Sequence, residues 1–195
     1  MSHASKISFA AGLAASLALG WLAFPRALYR KVDQPLQFSH LLHTGEKVGL
    51  TCDACHSVRP DGSFSGIPKV EQCAPCHAQA QGSSPDEKIL VEQYVTPNRE
   101  IPWLVYARQP ENAYFPHGPH VNLAKIECGR CHGMHGSSTG LRPFQVNRIS
   151  GYSRDVWGEN ISGLRSKPWD GMKMSDCSRC HAERGVKDSC LMCHK

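Results

Sequence analysis

The sequence predicts short α-helices and loops with almost no side-chain core of their own, plus one N-terminal membrane-spanning helix. Three observations predict it. Five segments of the 195-residue chain read Cys-x-x-Cys-His, and together they use all ten cysteines. Seventeen glycines, 13 prolines and only 8% aromatics make a loop-prone chain with too little apolar surface for a large core. An uncharged 18-residue run, Ile7 to Phe24, lies near the N-terminus.

The five motifs are Cys52-Asp-Ala-Cys55-His56, Cys73-Ala-Pro-Cys76-His77, Cys128-Gly-Arg-Cys131-His132, Cys177-Ser-Arg-Cys180-His181 and Cys190-Leu-Met-Cys193-His194. No thiol is left over for a disulfide framework or a cysteine nucleophile. Cys-x-x-Cys-His is a haem attachment signature: the two thiols add to porphyrin vinyl groups, and the adjacent histidine takes the proximal position on the iron. Zinc ribbons and redox dithiols also use Cys-x-x-Cys, but they do not require a histidine directly after it. Here all five pairs have one. Five covalent haem c groups are expected, with His56, His77, His132, His181 and His194 as proximal ligands. The fold class is then a multihaem cytochrome c: mainly short α-helices and loops around stacked haems, plus one N-terminal transmembrane helix. Five macrocycles in the roughly 170 residues after the apolar run leave about 34 residues each, so the haems must supply the missing core.

Six further histidines are present: His3, His40, His43, His117, His120 and His135. His3 precedes the apolar run and is out of reach. The other five match five sixth coordination positions. That count predicts bis-imidazole, low-spin iron, which suits electron transfer more than ligand activation. Met134, Met172, Met174 or Met192 is the alternative to His135, and an open iron is another. A haem enzyme would need that open position, and the histidine count speaks against it.

The chain contains a repeat. Phe38-Ser-His40-Leu-Leu-His43 precedes the Cys52 motif, and Phe115-Pro-His117-Gly-Pro-His120 precedes the Cys128 motif. Each is followed by a second Cys-x-x-Cys-His. This reads as a duplicated two-haem unit with a fifth haem at the end. The organisation is a signal-anchor and flank at 1–31, a first two-haem unit at 32–81, a connecting segment at 82–114, and a second unit at 115–195. That second unit contains an insertion at 136–176. Two histidines three residues apart can serve two haems on opposite sides of one helical turn.

The rest of the chain is less regular. Residues 85–95, PDEKILVEQYV, have a helical apolar pattern with acidic residues early. No strand alternation stands out. The insertion reads as an extended loop of a length that is often functional. Arg142, Arg148, Trp157, Arg165 and Trp169 give it the character of a subunit interface, or of a cover for propionates and haem edges.

The formal charge is +5. Five haems carry ten propionates, which takes the total to about −5 with ferrous iron and about 0 with ferric iron. The basic excess compensates propionates, and no nucleic-acid motif is present. Ile7 to Phe24 is about 27 Å long as a helix, enough for a bilayer core. It reads as an uncleaved anchor with Trp21 at the interface; a cleaved signal peptide ending near Ala18-x-Gly20 is the alternative. Because c-type haem is attached outside the cytoplasmic membrane, the expected topology is a single pass in the inner membrane with the haem domain in the periplasm.

The Phe38 to His56 segment resembles the N-terminal motif of the small tetrahaem cytochromes of sulfate reducers, where two such histidines are distal ligands of two different haems. More of the chain resembles the membrane-anchored multihaem cytochrome c subunits of quinone-linked complexes. The resemblance rests on the N-terminal anchor, Ile101-Pro102-Trp103-Leu104-Val105-Tyr106, and the Phe115 to His132 unit. Residues 151–157, 169–174 and 181–194 bring it nearest to the menaquinone reductase complexes of sulfate-reducing bacteria. The resemblance implies electrons accepted from a periplasmic cytochrome c and passed on for reduction of membrane menaquinone. It implies molybdopterin-oxidoreductase-like, iron–sulfur and integral quinone-site subunits as partners. The related cytochrome subunit of alternative complex III works in a quinol-oxidising direction, and a freestanding anchored carrier is a further alternative. The sulfate-reducer subunits carry six haems against five motifs here, so a sixth would be non-covalent and would draw on the same histidines.

Overall fold

The structure, a computed structural model, describes residues 2–105, 112–149, 151 and 173–194. The chain begins with a helix, α1, over His3–Ala18, none of whose residues is buried. Ser2 caps it by accepting the Ser5 N–H. The helix widens into a π-type turn at Leu19–Ala23 and continues as α2, Phe24–Ala27. Pro25 has no N–H to give to a preceding carbonyl, and the wide turn lies just before it. His3–Ala23 has a mean hydropathy of 1.4 and is wholly exposed, so it is long and apolar enough to cross a membrane.

A two-stranded antiparallel sheet follows, which the sequence pattern did not reveal. β1, Tyr29–Val32, pairs with β2, Phe144–Asn147, with Tyr29 opposite Asn147 and Val32 opposite Phe144. Four residues are too few for alternation to register, and the pairing spans more than a hundred positions. Part of the insertion is therefore strand, not loop. Residues 152–172, with Trp157, Arg165, Trp169 and Met172, lie outside the described residues. Arg148, just past β2, donates its backbone N–H to Leu28 O at 2.9 Å and its Nε to Ala27 O at 3.2 Å. The last carbonyls of the N-terminal helix are thereby satisfied from the second half of the chain.

The apolar core is small: Leu36, Val70, Tyr94 and Ile101 are buried, with Ile89, Leu90, Val95 and Trp103 packed around them. Val70 opens α5, Val70–His77. Residues 85–95 are helical as the pattern predicts, as α6, Pro85–Ile89, and a π-type continuation, Leu90–Val95. Buried Gln34 exchanges two bonds with Leu104, of 2.8 and 3.0 Å, and so pairs two extended segments through a side chain. The remaining elements are single turns at the motifs: α3, His40–Thr44, and α4, Cys52–Cys55. Then come a π-type turn at Pro119–Leu123, α7 at Gly129–His132, and a 3₁₀ turn at His135–Ser137. The last two are α8, Met174–Glu183, and α9, Cys190–Cys193.

The chain exposes 13836 Å². A compact 21.5 kDa protein exposes about 9,200 Å² by size scaling. The projecting helix accounts for part of the excess. The rest includes apolar side chains beside the motifs, such as Leu41, Leu42, Val48, Leu50, Leu123 and Leu191.

Candidate haem-binding centres

The repeated Phe-x-His-x-x-His segments take the same local form. Ser39 accepts the Leu42 N–H at 3.2 Å and starts α3 at His40, which sets His40 and His43 one turn apart. The Phe38 ring stacks on His43 at 4.3 Å and meets His40 edge-on at 4.9 Å. Phe115 takes the matching place in the second copy, tilted 30° to His120 at 4.5 Å and edge-on to His117 at 4.9 Å. His43 donates its Nδ1–H to Ser39 O, and His120 donates to Pro116 O, each at 2.8 Å. A carbonyl can only accept, so the lone pair of each ring is on Nε2, the metal-binding nitrogen. The sequence marks the two phenylalanines as repeat positions but not as clamps for the imidazoles.

Four of the five motif histidines follow the same rule with different acceptors. His56 donates its Nδ1–H to Gly66 O at 2.9 Å, and His194 donates to Asn112 O at 3.1 Å. His77 donates to the Glu87 carboxylate at 2.9 Å, and His181 to the Asp188 carboxylate at 2.8 Å. Such bonds fix the tautomer and ring orientation of metal-binding imidazoles.

The imidazoles meet in pairs. His43 and His77 have ring centres 6.1 Å apart. His117 and His132 are 6.4 Å apart and nearly parallel, at 6°, and His120 and His181 are 6.1 Å apart at 18°. Two imidazoles on opposite sides of one metal, at about 2.0–2.1 Å per bond and about 1.1 Å from nitrogen to ring centre, stand about 6.3 Å apart. The three pairs fit that separation. His40 and His56 are close enough that charge on one disfavours charge on the other. Among the described residues no three or more of His, Cys, Asp and Glu converge as a metal cluster. Axial imidazole pairs fit iron whose remaining ligands come from a porphyrin. All ten thiols are free.

Burial, followed by neighbouring histidines, lowers the basicity of His40, His117 and His132. His135 is lowered to about 4 by burial, the Arg142 guanidinium, and then His132 and His40. All four are neutral at physiological pH, the form that ligates metal. Burial also raises the thiols of Cys55, Cys73, Cys128, Cys131 and Cys177.

Beyond these three pairs and the neighbouring His40 and His56, two histidines remain, His135 and His194. His135 lies by His40, His132 and Arg142, whereas His194 is held at residues 112–114, bridging to Ala113 while Tyr114 N–H bonds Cys193 O at 2.7 Å. Met134, Met174 and Met192 are 70–76% exposed. Nothing in the local sequence pattern marks Phe64. It stacks on His117 at 4.0 Å and lies 6.3 Å from His56 at 15°, between a histidine of the first unit and one of the second. Gly62 and Gly118 permit this approach: a Cβ on Gly118 would stand 3.0 Å from Gly62 O.

Residues 42–142 match the family model for cytochrome c3. The chain is 37% identical over 202 residues to the menaquinone reductase, multihaem cytochrome c subunit of Nitratidesulfovibrio vulgaris, a match covering 96% of this chain and 89% of that protein. Histidine pairs at axial spacing, ten unpaired thiols and these similarities agree, and the chain belongs to the cytochrome c3 family of multihaem cytochromes c, together with the cytochrome subunits of menaquinone reductases.

Proposed function

We propose that the chain is the electron-relay subunit of a membrane complex that reduces menaquinone. It would accept electrons from a periplasmic cytochrome c and have no catalytic site of its own. The observation that carries this reading is the set of three histidine pairs near 6.3 Å, each of which would fill both axial sides of one iron. When bound, each haem would cycle between ferric and ferrous iron and supply one-electron transfer.

The ten motif cysteines hold five haems covalently, in two duplicated units and a terminal site. His43–His77, His117–His132, His120–His181 and His40–His56 are the axial pairs, and His135 serves as a distal ligand. Charge interactions between thiols of different motifs support an order for the relay. Cys73 interacts with Cys55, Cys128 with Cys52, Cys131 with Cys180, and Cys177 with Cys193. The line of proximal histidines is then His77, His56, His132, His181, His194. Phe64 bridges the one step that joins the two halves. The helix His3–Ala23 anchors the body at the inner membrane, and the β1–β2 sheet ties that anchor to the second unit.

Mass spectrometry of the intact assembly extracted from membranes tests the reading. The expected result is five covalent haems, retained Met1 and bound partner subunits, with a wholly low-spin ferric spectrum. Fewer than five haems, or a chain that leaves the membrane alone, would overturn it. Removal of residues 2–27 is expected to release the haem domain into the aqueous fraction with its haem content unchanged.

A further inference from the structure

The two carboxylates that face motif histidines have no role in ligation, and they recur at equivalent places. Glu87 lies ten residues after His77 and Asp188 seven residues after His181. Each histidine ends the second Cys-x-x-Cys-His of its unit. The first motif, at His56, and the terminal one, at His194, have neutral backbone carbonyls in the same position. The four hydrogen bonds are of similar length, 2.8 to 3.1 Å, so the difference between the two classes is charge rather than distance.

We propose that Glu87 and Asp188 are redox-tuning residues that hold the haem sites of His77 and His181 at lower potential than those of His56 and His194. The proposal rests on the ligand assignments above. A carboxylate accepting the Nδ1–H makes the imidazole a stronger electron donor at Nε2, and that stabilises ferric over ferrous iron. The electron balance is simple. One iron gains an electron as its neighbour loses one, and the Nδ1 proton stays on the ring.

The two sites differ in strength. The Glu87 side chain is 13% exposed, against 52% for Asp188. Solvent screens the second pair more, so Glu87 acts more strongly. The Glu87 carboxylate is also fixed by the Gln81 and Gly82 amides, at 2.7 and 2.9 Å. These amides hold it in place and keep it ionised while taking up part of its charge.

The test is a potentiometric titration of the complete membrane-extracted protein, followed by absorbance and by electron paramagnetic resonance. In Glu87→Gln the hydrogen bond can persist and the charge is lost. One component of the titration is expected to move to higher potential, with up to a tenfold change in its oxidised-to-reduced ratio at fixed potential. A tenfold change is about 59 mV for one electron. Asp188→Asn is expected to move a different component by less, and Glu87→Asp to restore the first. If Glu87→Gln takes up fewer haems, the half-exposed Asp188 carries the test alone. Variants that keep their low-spin haems while no component rises would overturn the tuning proposal and leave the ligand reading intact. A wild-type protein lacking bis-imidazole low-spin signals would instead overturn the ligand reading.

Discussion

Phe64 gives the sharpest test of how the two halves of the chain are joined. Its ring lies 4.0 Å from His117 at 17°, and His117 lies 6.4 Å from His132. Its backbone bridges to Val58, so the ring is presented from a braced loop. Cutting a fully buried phenylalanine to alanine costs about 3–5 kcal/mol. Phe64 is half-buried, so Phe64→Ala should cost roughly half of that, about 2 kcal/mol, with the stacking contribution of about 0.5–1.5 kcal/mol within that figure. At about 2–4 °C per kcal/mol for a chain of this size, the melting temperature should fall by about 4–8 °C. The assay is thermal unfolding of the haem-loaded protein, paired with the ferric paramagnetic spectrum. Loss of the stack frees the His117 ring to rotate, so the low-spin signal of one haem should broaden. Phe64→Leu keeps most of the volume and should recover most of the stability without sharpening that signal. A Phe64→Ala protein that melts within about 1 °C of wild type and has an unchanged spectrum would refute the bridging role.

Other outcomes follow from the same geometry. His43→Ala removes one of two rings 6.1 Å apart, so one haem should become high-spin while the covalent haem count holds, as read by absorbance and mass. Gly118→Ala puts a methyl 3.0 Å from Gly62 O and 3.4 Å from Gly62 Cα, both backbone atoms. It should cost about 1–3 kcal/mol in thermal unfolding, whereas Gly136→Ala, with open space around it, should not.

Some of this protein is local chemistry, and the sequence states local chemistry directly. Cys-x-x-Cys-His needs only five consecutive residues to place two thiols and an imidazole at one macrocycle, so the thiols and motif histidines are legible without a fold. The apolar run at Ile7 to Phe24 and the helical pattern at 85–95 are also properties of neighbouring residues. The repeated Phe-x-His-x-x-His fixes which histidines share a turn, but not what stands across from them.

What faces what was decided by the tertiary structure. His43 meets His77, and His120 meets His181, across separations in sequence that no periodicity encodes. Tyr29–Val32 and Phe144–Asn147 become strands only because each finds the other more than a hundred residues away. The carboxylates of Glu87 and Asp188 look like ordinary surface acids until the fold sets them against Nδ1 of a motif histidine. The physical reason is the same in each case. Ligand attachment is written in bonds along the chain, whereas pairing, stacking and redox environment depend on distances through space, and those exist only once the chain has closed on itself.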